Sequence, residues 1–353
     1  MGNVRRLVVK LGTGVLTDSK KQLDLAQMEQ LAVQIAAQRH AGREVLVVSS
    51  GAVGAGMGVL GYAKRPSVLA QLQACAAVGQ VRLMATYEKL FSQLGFPVAQ
   101  VLLTHDDLQN HERHLNARNT LLRLLRDGVI PIINENDVVS FTELKFGDND
   151  KLSALVACLL PADLLAILTT VDGLIANLGE SNERIVPVVE RIDATVEKLA
   201  GGTLSSTAVG GMIAKIQAAK IATRAGIPLA IAPGRKADVL ARLLNGEAEG
   251  TWFAPQSGKL PGRKRWIAFF HQPKGALYVD AGAKRALSDG GKSLLLPGIA
   301  KCEGEFVQDE IVRIRDLHGT EFARGITRFD SASIRAKRLT QPVVVHRDDL
   351  VIL

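Results

Sequence analysis

Short runs of branched apolar residues alternate with longer stretches of helical periodicity through residues 5–250, and this alternation restricts the fold more than any other feature of the chain. Six runs read as strands: Leu7–Leu11, Val45–Ser49, Val98–Leu103, Ile130–Ile133, Leu164–Thr169 and Leu229–Ala232. Between them, Leu25–His40, Val68–Leu94, Glu112–Arg126, Leu152–Leu160 and Met212–Arg224 read as helices. A strand–helix–strand alternation of this kind builds an α/β three-layer sandwich, a mostly parallel central sheet covered by helices on both faces. Residues 139–146 alternate apolar and polar positions and read as a hairpin beside that sheet.

The pattern changes near Ala254. Pro255-Gln256-Ser257-Gly258-Lys259-Leu260-Pro261-Gly262-Arg263 is linker-like, and the chain beyond it holds short alternating strands separated by glycine turns. Gly275–Val279, Glu310–Arg315, Glu321–Ile326 and Val343–His346 suggest a small β-barrel. The expected organisation is therefore an α/β domain over 1–254, a linker over 255–265 and a β domain over 266–353.

Composition excludes several classes. No apolar run reaches the roughly 18 residues of a membrane span, and Lys10 interrupts the first apolar run too early for a signal peptide. Cys75, Cys158 and Cys302 are far apart, with neither disulfide nor metal-ligand spacing, and suit a reducing cytoplasm. The net charge of +8 is uneven, since residues 256–353 hold 17 Lys and Arg against 11 Asp and Glu. A solvated basic surface is the ordinary meaning of such an excess, and nucleic-acid contact is the alternative.

The chemistry gathers where strands end. The apolar run Val129–Ile133 passes directly into Asn134-Glu135-Asn136-Asp137, followed by Lys145-Phe146-Gly147-Asp148-Asn149-Asp150-Lys151. A buried strand that ends in a polar cluster presents ligand groups at the carboxyl edge of an open sheet. Carboxamides mixed with carboxylates suit a zwitterion, because together they accept from an ammonium and donate to a carboxylate. Lys10 interrupts the first strand and precedes Gly12-Thr13-Gly14, so an ammonium and close backbone N–H groups read together as a phosphate grip. Snorkelling of Lys10 to the surface is the alternative. Further glycine turns are Ser49–Gly56, with Ser50 and Gly51, and Gly210-Gly211-Met212-Ile213-Ala214-Lys215. The latter opens a helix and places Lys215 in its first or second turn, where dipole and ammonium act on one anion. Neither a GxxxxGK[ST] loop nor a GxGxxG after a strand is present.

These residues resemble the glutamate 5-kinases, members of the amino acid kinase family that carry a C-terminal PUA domain. The resemblance covers nearly the whole chain. It rests on Val8–Thr13, Ser50-Gly51-Ala52, Leu115-Asn116-Ala117-Arg118, Ile133–Asp137, Phe146–Asp150 and Gly210-Gly211-Met212, and in the tail on Val279–Ala283, Ser293–Leu295 and Val345–Asp349. It implies transfer of the ATP γ-phosphoryl to the side-chain carboxylate of L-glutamate, the first step of proline synthesis, with Mg²⁺ bridging the ATP phosphates. It implies Lys10, Lys215 and Asp150 as catalytic residues, with Asp150 holding the two lysines in place; an N-cap on the helix from Leu152 is compatible with that. Ser50, Asn134, Asp137 and Asn149 would contact glutamate. The nucleotide region would comprise Lys10, Gly12, Gly14, Gly51, Thr169, Thr170, Val209, Gly210, Gly211, Met212 and Lys215. Also implied are proline as feedback inhibitor, a homo-oligomer, a glutamyl phosphate reductase downstream, and a tail whose structural or regulatory role ranks above RNA binding.

The chain departs from the family pattern on the nucleotide side. A Ser/Thr-Asp pair is usual where Thr169-Thr170 stands, and GTGGM followed by Ser/Thr is usual where Ala208-Val209-Gly210-Gly211-Met212-Ile213-Ala214 stands. Asp172 would partly substitute if the backbone there is extended. The expectation is intact glutamate binding with altered nucleotide use. The alternatives are another amino acid kinase acting on aspartate, N-acetylglutamate or carbamate, and a regulatory or RNA-binding protein on a kinase scaffold.

Overall fold

A computed structural model describes residues 4–18, 22–139, 149–201, 206–256, 260–271, 273–338 and 341–353, with backbone alone at 206–210. Residues 140–148, which include most of the expected hairpin with Lys145 and Asp148, lie outside the described residues. The chain divides into two compact units, Met1–Gly258 and Lys259–Leu353.

In the first unit the strands are β1 (Arg6–Leu11), β2 (Glu44–Ser49), β3 (Val98–Leu103), β4 (Ile130–Glu135), β5 (Leu164–Thr169), β6 (Ile175–Ala176), β7 (Arg184–Ile185), β8 (Val188–Val189), β9 (Leu229–Pro233) and β10 (Thr251–Phe253). The helices are α1 (Thr13–Leu16), α2 (Leu25–His40), α3 (Ala52–Leu60), α4 (Leu69–Gln93), α5 (His105–Gln109), α6 (His111–Arg126), α7 (Asn149–Leu159), α8 (Ala194–Gly201), α9 (Ser206–Arg224) and α10 (Val239–Leu244). Eight strands form one sheet in the order β3-β4-β2-β1-β5-β9-β10-β8. The pairs from β3 to β9 are parallel, and β10 runs antiparallel to β9. All six expected strands are present.

Burial on both faces explains the continuous apolar runs: every residue of β4 and β5 is buried. Along β1 the odd positions Leu7, Val9 and Leu11 enter a core shared with α2, α4 and α10. The period of two turns Val8 and Lys10 to the opposite face, against which α7 packs. Caps mark the helix starts: the Asp24 carboxylate accepts from the Gln27 N–H, and Thr104 and Asp107 form a capping box on α5.

Two glycine segments differ from the turns expected of them. Ser49–Gly56 reads as a turn, but only Gly51 (φ +104°) has the left-handed backbone that a turn needs, and α3 begins at Ala52. Gly56 instead serves packing, because a Cβ there would fall 1.8 Å from the Cys75 carbonyl oxygen on α4. Likewise α9 begins at Ser206, so Gly210 and Gly211 lie inside a helix rather than opening one, and Lys215 sits in its third turn. The backbone bends at Thr170 and Val171 and Asp172 is exposed, so the extended geometry that would align Asp172 with Thr170 is absent.

The second unit contains β11 (Gly275–Val279), β12 (Leu294–Leu295), β13 (Ile299–Glu303), β14 (Ile311–Arg315), β15 (Glu321–Thr327) and β16 (Val343–Ile352), with α11 (Gly262–Arg265), α12 (Ala281–Ser288) and α13 (Ser331–Arg335). Its six strands pair in the order β12-β16-β15-β14-β11-β13; one buried cluster includes Leu277, Phe306, Val312, Ile314 and Val345, and a smaller one gathers Ile267, Ala268, Ile311 and Val351. This is the small β unit that the alternating strands suggested.

Candidate active site

The parallel register brings four strand ends side by side. Leu11 pairs with Ser49 on one flank and Leu168 on the other, and Val48 pairs with Ile133. The connection after β1 leads to β2, whereas β5 lies on the other side of β1. A crevice at such a reversal is where open parallel sheets bind ligands.

Three charged side chains meet beneath this edge. Lys10 from β1, Asp150 from the first turn of α7 and Lys215 from α9 are only 5%, 4% and 8% exposed. Lys10 Nζ lies 2.6 Å from Asp150 Oδ1, and Lys215 Nζ lies 3.1 Å from Asp150 Oδ2. Lys215 Nζ also donates to the Gly211 carbonyl oxygen at 3.1 Å. Lys10 therefore does not snorkel, and the Asp150 carboxylate is spent on the lysines rather than on capping α7. Burial pushes the Asp150 carboxyl up, but the adjacent Lys10 and Lys215 ammoniums outweigh it and hold the group below the usual carboxylate range. Two cations share one buried anion, so the cluster holds an excess positive charge suited to an entering phosphoryl group.

Glycines keep space beside both ammoniums. A Cβ at Gly12 would stand 3.7 Å from Lys10 Nζ, and one at Gly211 would stand 3.8 Å from Lys215 Nζ. The Gly12 N–H itself donates to the Leu168 carbonyl oxygen at 3.1 Å, so it belongs to the sheet ladder rather than to a phosphate cradle. Gly14 lies in α1, and a Cβ there would come within 2.8 Å of Thr170 Cγ2. Thr169 ends β5 and is buried, whereas Thr170 is exposed. Met212 is buried within α9; the Val209 and Gly210 positions are described as backbone only.

A second cluster adjoins the first through consecutive residues of α7. Asn149 Nδ2 lies 2.8 Å from the Ser49 carbonyl oxygen, 3.0 Å from Ser50 Oγ and 2.9 Å from Asn134 Oδ1. Asn134, the penultimate residue of β4, donates in turn to Gln80 Oε1 at 2.9 Å. Asp137 is half-buried in the turn after β4. Thus Lys10, Asp150 and Lys215 assemble as one group and Ser50, Asn134 and Asn149 as a neighbouring one. Sequence reading missed Gln80, Ser49 and Tyr87, whose hydroxyl lies 2.8 Å from Ser49 Oγ. They belong to α4 and β2 segments that read as ordinary core, and nothing in the local sequence marks them.

Among the described residues no group of three or more His, Cys, Asp or Glu is placed to hold a metal ion, and no helix is long and apolar enough to cross a membrane.

Residues 5–233 match the amino acid kinase family and residues 275–344 the PUA domain. The glutamate 5-kinase of Moorella thermoacetica is 47% identical over 368 residues, spanning 100% of this chain and 97% of that protein. That of Azoarcus sp. strain BH72 is 48% identical over 365 residues, spanning 99% and 98%. A carbamate kinase from Giardia lamblia, solved with AMP-PNP bound, superposes with a TM-score of 0.51 at 20% identity, covering 72% of this chain and 100% of that one, which shows the shared fold. The chain belongs to the amino acid kinase family and, within it, to the glutamate 5-kinases with a C-terminal PUA domain.

Proposed function

We propose that this protein transfers the γ-phosphoryl group of ATP to the side-chain carboxylate of L-glutamate, forming L-glutamyl 5-phosphate, the first step of proline synthesis from glutamate. The observation that carries this reading is the Lys10–Asp150–Lys215 cluster placed one residue along α7 from the Asn149–Asn134–Ser50 amide and hydroxyl cluster.

The chemistry follows from charge. A carboxylate is already a nucleophile, so no general base is needed. The barrier lies in bringing one anion against another, and positioning with charge neutralisation must lower it. Lys10 and Lys215 stand on either side of Asp150, which keeps both ammoniums fixed. Each would donate to the transferring phosphoryl oxygens, and loss of one such donor typically costs about 3–4 kcal/mol in the transition state. Ser50, Asn134, Asn149 and Asp137 would orient glutamate. Gly14, Gly51, Thr169, Thr170 and the Val209–Met212 segment would border the nucleotide.

Both Asp150 oxygens are engaged by lysines. The site therefore fits Mg²⁺ carried on the ATP phosphates with few protein ligands, as magnesium often is. The ion would neutralise phosphate charge.

The same reading treats 1–254 as the kinase domain, 255–265 as linker and 266–353 as the PUA domain, and the enzyme as a cytoplasmic homo-oligomer. Proline, a cyclic relative of glutamate, would inhibit at the glutamate pocket. A glutamyl phosphate reductase would consume the labile product. A structural or regulatory role for the PUA domain ranks above RNA binding.

Hydroxylamine traps an acyl phosphate, so γ-glutamyl hydroxamate formation from L-glutamate and Mg-ATP reads the product directly. Signal with glutamate, none with aspartate or N-acetylglutamate, and a signal lowered about 10²–10³-fold in Lys10→Met is the expected result. Equal signal from aspartate or N-acetylglutamate would overturn the substrate assignment.

A further inference from the structure

We propose that Gln80 is a positioning residue for the glutamate pocket, acting through Asn134 to set the direction in which the Asn149 amide faces. The proposal rests on the reading of Asn134 and Asn149 as glutamate-contacting groups.

An amide nitrogen carries two hydrogens, and three acceptors surround the Asn149 Nδ2: the Ser49 carbonyl oxygen, Ser50 Oγ and Asn134 Oδ1. That arrangement is self-consistent only if Asn134 presents its oxygen, not its nitrogen. An amide can adopt either flip, and its neighbours decide between them. Asn134 Oδ1 also accepts from the Glu135 N–H at 2.9 Å, which favours the same flip locally. At the other end Asn134 Nδ2 donates to Gln80 Oε1 at 2.9 Å. The Gln80 amide is set in turn by donation from its Nε2 to Gln100 Oε1 at 3.0 Å. A chain of oriented amides thus runs from β3, at the edge of the sheet, through α4 to the pocket.

Gln80 reaches Asn134 because α4 comes unusually close. A Cβ at Gly79 would fall 1.7 Å from the Ala52 carbonyl oxygen and 2.4 Å from the Gly56 N, so the α3 and α4 backbones touch there. Ala52 directly follows Ser50-Gly51. The glycine that seats α4 on the pocket turn therefore also delivers Gln80 to the end of β4.

Since the Glu135 N–H supports the same flip, loss of Gln80 should loosen the pocket rather than invert it. Gln80→Met removes the acceptor at nearly constant volume. It should raise the glutamate KM about 3–10-fold, the range for a neutral hydrogen bond, with kcat and the ATP KM within about 2-fold. Gln80→Glu keeps an acceptor toward Asn134, while Gln100 turns its Nε2 toward the new carboxylate. It should stay within about 2-fold of the parent, a rescue that a merely structural role would not produce. Side-chain amide NMR of substrate-free protein is the second readout: Asn134 and Asn149 signals should shift in Gln80→Met and hold in Gln80→Glu. An unchanged glutamate KM in Gln80→Met would overturn the proposal. So would equal losses for both substrates, or equal damage from Met and Glu. A parent protein silent with glutamate would defeat the functional reading instead, and the NMR signals would still decide whether Gln80 orients the amides.

Discussion

Asp150 Oδ1 lies 2.6 Å from Lys10 Nζ while Asp150 Oδ2 lies 3.1 Å from Lys215 Nζ, so one buried carboxylate holds two ammoniums from different elements. The three substitutions that break this cluster should not be equivalent. Lys10→Met or Lys215→Met leaves Asp150 with one partner. Each should lower kcat about 10²–10³-fold, the usual loss for one transition-state donor. Asp150→Asn leaves two buried cations without their anion, and removing one partner of a buried pair costs about 3–5 kcal/mol. It should therefore abolish turnover and also be the most destabilising of the three. Asp150 has a folded pKa below its unfolded value, so its contribution is present above the unfolded pKa of about 3.9 and lost as pH falls through the folded value. The stability gap between parent and Asp150→Asn, measured by urea unfolding, should shrink below about pH 4. A gap that widens there would contradict the ion-pair assignment.

His105 gives a second pH dependence of the same sign. Burial, followed by the Lys151 charge, brings its pKa from 6.5 down to about 4, although Asp106 pulls the other way. The unfolded chain therefore binds a proton that the folded one refuses between about pH 6.5 and 4, and stability falls as pH drops through that window. The imidazole C2–H resonance should titrate near 4. Lys151→Met should move that midpoint upward but leave it below 6.5, because burial is the larger cause. A parent midpoint at 6.5 would refute the burial argument.

Much of this arrangement is legible in sequence for one physical reason. Parallel strands covered on both faces must be apolar throughout, so β1, β2, β4 and β5 announce themselves, and polar residues at their ends stand out. Lys10 and Asn134 are conspicuous for that reason. Glycine is where the reading fails. It permits a turn at Gly51, but at Gly56 and Gly79 it permits two helices to touch, and local sequence does not separate these uses. The same ambiguity hid the start of α9 at Ser206, six residues before the expected Met212. Gln80 was hidden because its partners Asn134 and Gln100 are distant in sequence and meet only through the α3–α4 packing.

That packing makes Gly79 a sensitive position. Gly79→Ala would thrust a methyl to within 1.7 Å of the Ala52 carbonyl oxygen, and backbone cannot swing aside as a side chain can. Overpacking of this kind costs about 1–3 kcal/mol or more. Gly79→Ala should lower the urea midpoint with little change in m, and raise the glutamate KM because both Ser50 and Gln80 move. Gly61→Ala is a control for strain alone, since Gly61 has φ +74° and no atom within 4 Å of its Cβ position. A glutamate KM altered in Gly61→Ala but not in Gly79→Ala would reject the proposed link between packing and pocket.

The proposed nucleotide side contains a closer pair. A Cβ at Gly14 would come within 2.8 Å of Thr170 Cγ2, whereas Thr170 Oγ1 would be 3.9 Å away. The clash is thus with the threonine methyl alone, and a β-branched side chain has little rotameric freedom with which to avoid it. Gly14→Ala should push the β1–α1 turn and the end of β5 apart, raising the ATP KM while leaving the glutamate KM unchanged. Thr170→Ser removes that methyl and keeps the hydroxyl, so on its own it should have little effect. Combined with Gly14→Ala it should restore most of the lost ATP affinity. Residues in contact couple, whereas independent sites add, and a cycle of the two substitutions measures the difference. Strictly additive effects on the ATP KM would mean that Gly14 and Thr170 do not act together on nucleotide binding.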